Sequence, residues 1–239
     1  MNELALFAGA GGGLLASHLL GWRTVCAVEL DEYRRCILIK RQNERHLRPA
    51  FPIWDDICTF DGRAWRGIVD IVTGGFPCQA YSTAASGKNV ADDLWAEMRR
   101  VVADVAPRYV FAENVSKEAI DCAADDLESM GYTARCISLS AADLGSDHIR
   151  ERHWLLAHAD DKSQLRSGFD AEMAGRKSLH ARVWEAFPDQ SGMADGLSNR
   201  MDRYGATGNG QVPIVAATAF DLLSRSIKIG TVLIARSEK

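Results

Sequence analysis

Residues 4–30 read LALFAGAGGGLLASHLLGWRTVCAVEL, and the fold is decided there. LALF is a short apolar strand, AGAGGG a tight turn, LLASHLLG a helix closed by Gly21, and RTVCAVEL a second strand. Glycines between strand and helix let the backbone approach a ligand closely, and the helix start offers free N–H groups. Glu29 ends the second strand about 20 residues after the loop, where an acidic side chain accepts hydrogen bonds from both ribose hydroxyls. The pattern describes a nucleoside-cofactor site without separating NAD, FAD and S-adenosylmethionine. A loose fit to G-x-G-x-x-G, with Leu14 at the third position, counts against a dinucleotide. The alternative is a tight turn beside a solvated glutamate.

Outward from this unit the alternation continues. DEYRRCILIKRQN (31–43) reads as a helix, FPIWDDI (51–57) as a short strand or loop, and VDIVTGG (69–75) as a buried strand. DDLWAEMRRVVADVA (92–106) is an amphipathic helix stopped by Pro107, and RYVFAENV (108–115) is a strand. KEAIDCAADDLESMG (117–131) is a helix ending at Gly131. YTARCISLSAADLG (132–145) and RHWLLAHA (152–159) hold the last two strands of this series. Strands separated by helices predict an α/β fold, Rossmann-like, with a mostly parallel, doubly wound sheet. From 159 to 195 the sequence turns polar and weakly periodic, as in a small insert. GNGQVPIVAATAFDLLSRS (208–226) is a glycine turn and an apolar helix, and IKIGTVLIARSEK (227–239) reads as a short strand with a frayed end. The expected division is 1–158, 159–195 and 196–239.

The 239 residues fit one large domain with a small insert, and 47% hydrophobic with 25% charged residues is ordinary for a globular protein. No apolar run approaches the ~20 residues of a membrane span, and the N-terminus lacks the basic segment of a signal peptide. Six scattered cysteines without a CxxC pair argue against a disulfide framework or zinc, and for a reducing cytoplasm. A net charge of −4 excludes a basic wrapper of nucleic acid; any such contact needs local positive charge.

Three further stretches carry chemistry. GGFPCQAYSTAASGK (74–88) places Cys78 after a strand, where ligands collect in such sheets. Pro77 fixes its direction, and a thiolate there is a strong nucleophile; alone, Cys78 reads equally as a packing thiol. FAENV puts Glu113 at the end of another strand on the same sheet edge. A carboxyl beside Phe111 and Val115 gains a raised pKa and donates a proton, or it is an ordinary acid near a helix start. HIRERHW sets Arg150 and Arg152 two apart on one face of an extended segment, suited to phosphate or a base carbonyl, or to a solvated strand edge.

In this order the segments resemble the cytosine-C5 DNA methyltransferase family. LFAGAGGG looks like its cofactor loop, VELD its ribose-binding acid, DDI its adenine contact, and GGFPCQAYS its nucleophile motif. ENV resembles its glutamate motif, RER with His148 its Q-x-R-x-R motif, and GNGQVP its final Gly-Asn motif. The resemblance implies S-adenosyl-L-methionine as cofactor and S-adenosyl-L-homocysteine as product. Phe7 would lie against the adenosine, Gly9, Gly11 and Gly12 would face the methionine part, and Glu29 would bind the ribose. Asp56 and Ile57 would hold the adenine, Pro77 and Leu94 would line the site, and Asn209 would close it. It also implies that Cys78 adds to C6 of a flipped-out cytosine, that Glu113 protonates N3, and that Arg152, with Arg150 beside it, holds O2. The loop AYSTAASGKNVADD would close over the base.

Ala5 stands where the family has aspartate, and His148 where it has glutamine. The family carries a large target-recognition domain before its last motif, whereas about 35–40 residues are available here, too few for an independent core. Lys162, Arg166, Arg176, Lys177, Arg182, Arg200 and Arg203 in and after that stretch suit phosphate contacts. The expected partner is double-stranded DNA, with a short recognition site or a protein partner that supplies specificity. RNA as substrate, or a catalytically silent cofactor-binding subunit, are the alternatives.

Overall fold

The computed structural model describes residues 1–77, 94–147, 149–159 and 210–237, with side chains to 226 in the last stretch. Cys78, the loop after it, His148, residues 160–195, the seven basic residues named above and Asn209 lie outside the described residues.

Seven strands form one sheet: β1 (Asn2–Leu6), β2 (Arg23–Val28), β3 (Ile53–Trp54), β4 (Ile71–Gly75), β5 (Tyr109–Asn114), β6 (Tyr132–Ser140) and β7 (Glu151–Ala159). Their order is β3-β2-β1-β4-β5-β7-β6. Neighbours from β3 to β5 pair in parallel, and β7 runs antiparallel between β5 and β6. Central parallel strands are covered on both faces, so their sequences are continuously apolar; all six residues of β5 are buried.

Helices α1 (Gly12–Leu19), α2 (Glu32–Asn43), α3 (Leu94–Val105), α4 (Lys117–Ser129) and α5 (Pro213–Ser237) cover that sheet. Leu4, Leu6, Val72 and Val110 meet α3 and α4 through Met98, Val101, Ile120 and Leu127. Ile71, Tyr109, Phe111 and Trp154 meet α1 and α5 on the opposite face through Ala16, Ala216 and Phe220. Local chemistry fixes the helix ends. Asp31 caps α2 by accepting from Arg34 N at 2.9 Å, and Ser116 caps α4 by accepting from Ala119 N at 3.2 Å. Gly131, at φ 88°, ends α4 in the left-handed region.

The closing stretch corrects one expectation. Residues 227–237 continue α5 and do not form a strand. The run of Ile, Val and Thr favours a strand only weakly, and tertiary context overrides it. Pro213 begins the helix at a position that suits its missing N–H, and Gly230 costs an established helix only ~1 kcal/mol. Among the described residues no helix is long and apolar enough to cross a membrane.

Strand order reverses between β1 and β4, so the chain leaves these neighbouring strands in opposite directions. A crevice opens at such a switch point beyond the strands' carboxyl ends. The glycine loop follows β1, and Phe76 and Pro77 follow β4.

Candidate active site

A cleft of about 860 Å³ occupies this crevice. Phe7 and Gly9 from the glycine loop, Glu29 after β2, and Asp56 and Ile57 after β3 line one part of it. Pro77, Leu94, Glu113 and Arg152 line the other.

The loop after β1 is wound through left-handed conformations at Phe7 (φ 52°), Gly9 (φ 57°) and Gly11 (φ 91°). Phenylalanine there is strained, at a cost of about 1–3 kcal/mol. Two backbone bonds hold it, from Ala8 N to Val28 O and from Gly11 N to Ala8 O, both 3.0 Å. Glu29, 5% exposed, fastens the same loop: Gly9 N donates to its Oε2 at 2.6 Å and Asp31 N to its Oε1 at 3.0 Å. Gly11 and Gly12 leave room for close neighbours. A Cβ on Gly11 would come within 2.9 Å of Leu38 Cδ2, and one on Gly12 within 2.2 Å of Gln211 O.

The end of β5 supplies the second part. Glu113 lies opposite Gly75 in parallel register, and β7 returns so that Arg152 reaches the same edge. Arg152 Nε is 3.1 Å from Glu113 Oε1, and Gln211 Nε2 donates to Glu113 Oε2 at 3.2 Å. Burial pushes the Glu113 carboxyl above its ordinary value, while the bond from Gln211 and the charges of Arg152 and Arg150 pull it back. Arg150 turns toward the C-terminal segment, where its Nη2 donates to Gly210 O at 2.8 Å. Burial and the neighbouring Arg152 lower its pKa.

Asn114 performs a task that the sequence pattern does not reveal. Its Nδ2 donates to Phe76 O at 2.9 Å, and its Oδ1 accepts from Ser116 N at 2.9 Å. The end of β5 thereby holds the turn that leads through Pro77 to Cys78. Gln211 was also not legible as a site residue; its position just after the Asn-Gly turn of GNGQVP is the available signal.

The cleft suits a nucleoside with a cationic group. Both Glu29 oxygens already accept, yet a carboxylate has about four acceptor sites, so capacity remains for ribose hydroxyls. Phe7, Ile57 and Leu94 supply apolar surface, Asp31, Asp55 and Asp56 add negative charge, and Arg34, 3.8 Å from Glu29 Oε1, and Arg152 add positive charge. Among the described residues a Cβ on Gly9 would meet only Phe7 O, at 4.0 Å, which leaves space for close approach.

The sheet order and the cleft at its switch point define a Rossmann-like α/β fold. Among solved structures, the chain is similar to the Dnmt2 methyltransferase of S. pombe, with a TM-score of 0.53 and 23% identity over 78% of this chain and 58% of that one. The C-5 cytosine-specific DNA methylase model matches residues 1–204, and the chain belongs to that family. It is 30% identical over 177 residues to the type II methyltransferase M1.HphI of Haemophilus parahaemolyticus, covering 67% of this chain and 46% of the relative. It is 28% identical over 205 residues to M.FnuDI of Fusobacterium nucleatum, covering 77% of this chain and 55% of the relative. The matches to M.Eco47II and M.PspPI, at 34% and 39% identity, each span 26% of the relative's length.

Proposed function

We propose that the chain transfers a methyl group from S-adenosyl-L-methionine to C5 of cytosine in double-stranded DNA, in a reducing cytoplasm. The observation that carries this reading is the pairing of buried Glu113, at the end of β5, with half-buried Arg152 of β7, one strand from the Pro77 turn that leads into Cys78. Family membership supplies the reaction class.

Glu29 binds the ribose hydroxyls, and Asp56 and Ile57 meet the adenine. Phe7 lies against the adenosine, Gly9, Gly11 and Gly12 face the methionine part, Pro77 and Leu94 line the site, and Asn209 closes it. The bound cofactor supplies an electrophilic methyl on a sulfonium. The Cys78 thiolate forms a bond to C6, the displaced electron pair shifts through C5 and C4 to N3, and N3 takes the proton of Glu113. Arg152, with Arg150 beside it, holds the base at O2. C5, made electron-rich by the addition, would take the methyl that the cofactor supplies, with S-adenosyl-L-homocysteine as the product. Loss of the C5 proton to a base re-forms the ring double bond, expels Cys78 and lets N3 return its proton to Glu113.

The catalytic portion is assigned to 1–158, a reduced recognition region to 159–195, and a segment returning to the catalytic portion to 196–239. We assign specificity to a short target site or to a protein partner. A tight six-base-pair site read by this chain alone would contradict that.

The test is transfer of tritiated methyl onto mixed DNA and onto RNA by wild type and Cys78→Ser. The expected result is label on DNA with wild type and none with the variant. Label on RNA alone would move the substrate. Cofactor binding with no transfer to either would make the chain a silent subunit.

A further inference from the structure

Gln211 sits 98 residues from Glu113 in sequence and joins it in space. Its backbone and side chain lie in a slot left open by glycines in the first turn of α1 and at the end of β4. A Cβ on Gly12 would lie 2.2 Å from Gln211 O, and one on Gly13 2.6 Å from Gln211 Oε1. Across the slot, a Cβ on Gly75 would lie 2.7 Å from Glu113 Oε2 and 3.1 Å from Gln211 Nε2. Arg150 fastens the entry to the slot through Gly210 O. The amide is thus wedged between the first turn of α1 and the end of β4, with Glu113 as its partner.

We propose that Gln211 is a positioning residue for Glu113, its amide holding one carboxyl oxygen while Arg152 holds the other. The arrangement serves a carboxyl that must both lose and regain a proton. An ionised carboxylate only accepts, and it is met here by a donor on each oxygen. A protonated carboxyl donates, and a primary amide turned over about its terminal bond offers its oxygen to receive that donor. Arginine has no acceptor and cannot make this exchange. Gln211 therefore keeps Glu113 in place in either protonation state.

This inference deepens the proposed role of Glu113 and rests on it. The charged groups acting on Glu113 among the described residues are Arg152 and Arg150, both from β7 and its approach. Gln211→Met keeps length and removes the amide. Its effect is read from the Glu113 carboxyl carbon by NMR titration of the protein without substrate, assigned with Glu113→Gln. Loss of a donor to the carboxylate moves the midpoint to higher pH. In methyl transfer, the limb on which kcat falls as Glu113 loses its proton moves the same way. Gln211→Glu is the second variant and keeps the test open should the methionine variant fail to fold. A second carboxyl beside Glu113 raises the midpoint through like charge. Unmoved midpoints in the folded variants would overturn the proposal whether or not the wild type methylates DNA. A wild type that transfers no methyl, with midpoints that move, would overturn the reaction assigned above and the catalytic use of Gln211.

Discussion

Gly75 and Glu113 face each other across β4 and β5, so close that a Cβ on Gly75 would lie 2.7 Å from Glu113 Oε2. The absent side chain is what lets the carboxyl lie flat against the sheet edge, with Arg152 on one side and Gln211 on the other.

Gly75→Ala is therefore expected to displace the Glu113 carboxyl while leaving the sheet intact. Misplacing a reacting group by about 1 Å costs on the order of 100-fold in rate. Methyl-transfer assays should show a loss of that order. Thermal melting should stay near that of wild type, because the obstructing atoms are side-chain ends.

Gly12→Ala meets a backbone atom instead, Gln211 O at 2.2 Å. The C-terminal segment has to shift to admit the methyl group, and overpacking of this kind costs about 1–3 kcal/mol. Denaturant titration should report that loss.

Glu29 has two functions: it accepts from Gly9 N and from Asp31 N, and it faces the cleft. Glu29→Ala leaves those donors without their acceptor and removes the proposed ribose contact. Hydrogen bonds to a charged group contribute ~1.5–3 kcal/mol each, so calorimetry should record cofactor affinity lower by about 10- to 100-fold. Unchanged affinity would remove Glu29 from the cofactor site.

Glu3 is buried in β1, where its carboxylate accepts from Ser17, Thr24 and Thr73 at 2.6–2.8 Å. Burial nevertheless pushes its pKa above 4.5, the same direction as for Glu113. The folded state thus holds a proton more tightly than the unfolded chain. The resulting stabilisation is full below the unfolded value and is lost as pH rises through the folded value. Glu3→Gln should make the fall in unfolding free energy above about pH 4.5 shallower. Urea denaturation at several pH values measures this slope; a steeper fall in the variant would contradict the assignment.

Local features were legible in the sequence. The strand–glycine–helix unit and Glu29 lie within about 20 residues of one another, and Gly9 and Glu29 do bond to each other. The ends of β4 and β5 were legible because buried parallel strands are uniformly apolar and stop at polar or turn residues. The reason for each glycine was not. At Gly11 and Gly12 the missing side chains also make room for Leu38 and Gln211, contacts that no local pattern announces. The Gln211–Glu113 bond spans 98 residues, and no local pattern encodes such a distance. The C-terminal stretch misled because β-branched composition is a weaker determinant than a helix already packed on the core through Ala216, Phe220 and Leu223.

The central claim is that Cys78 attacks cytosine in DNA. Bisulfite sequencing of DNA from cells expressing the protein tests activity, base and site together. Wild type should leave a set of cytosines protected from conversion, and Cys78→Ser should leave none. Equal conversion in both, or protection that survives in the serine variant, would contradict the account.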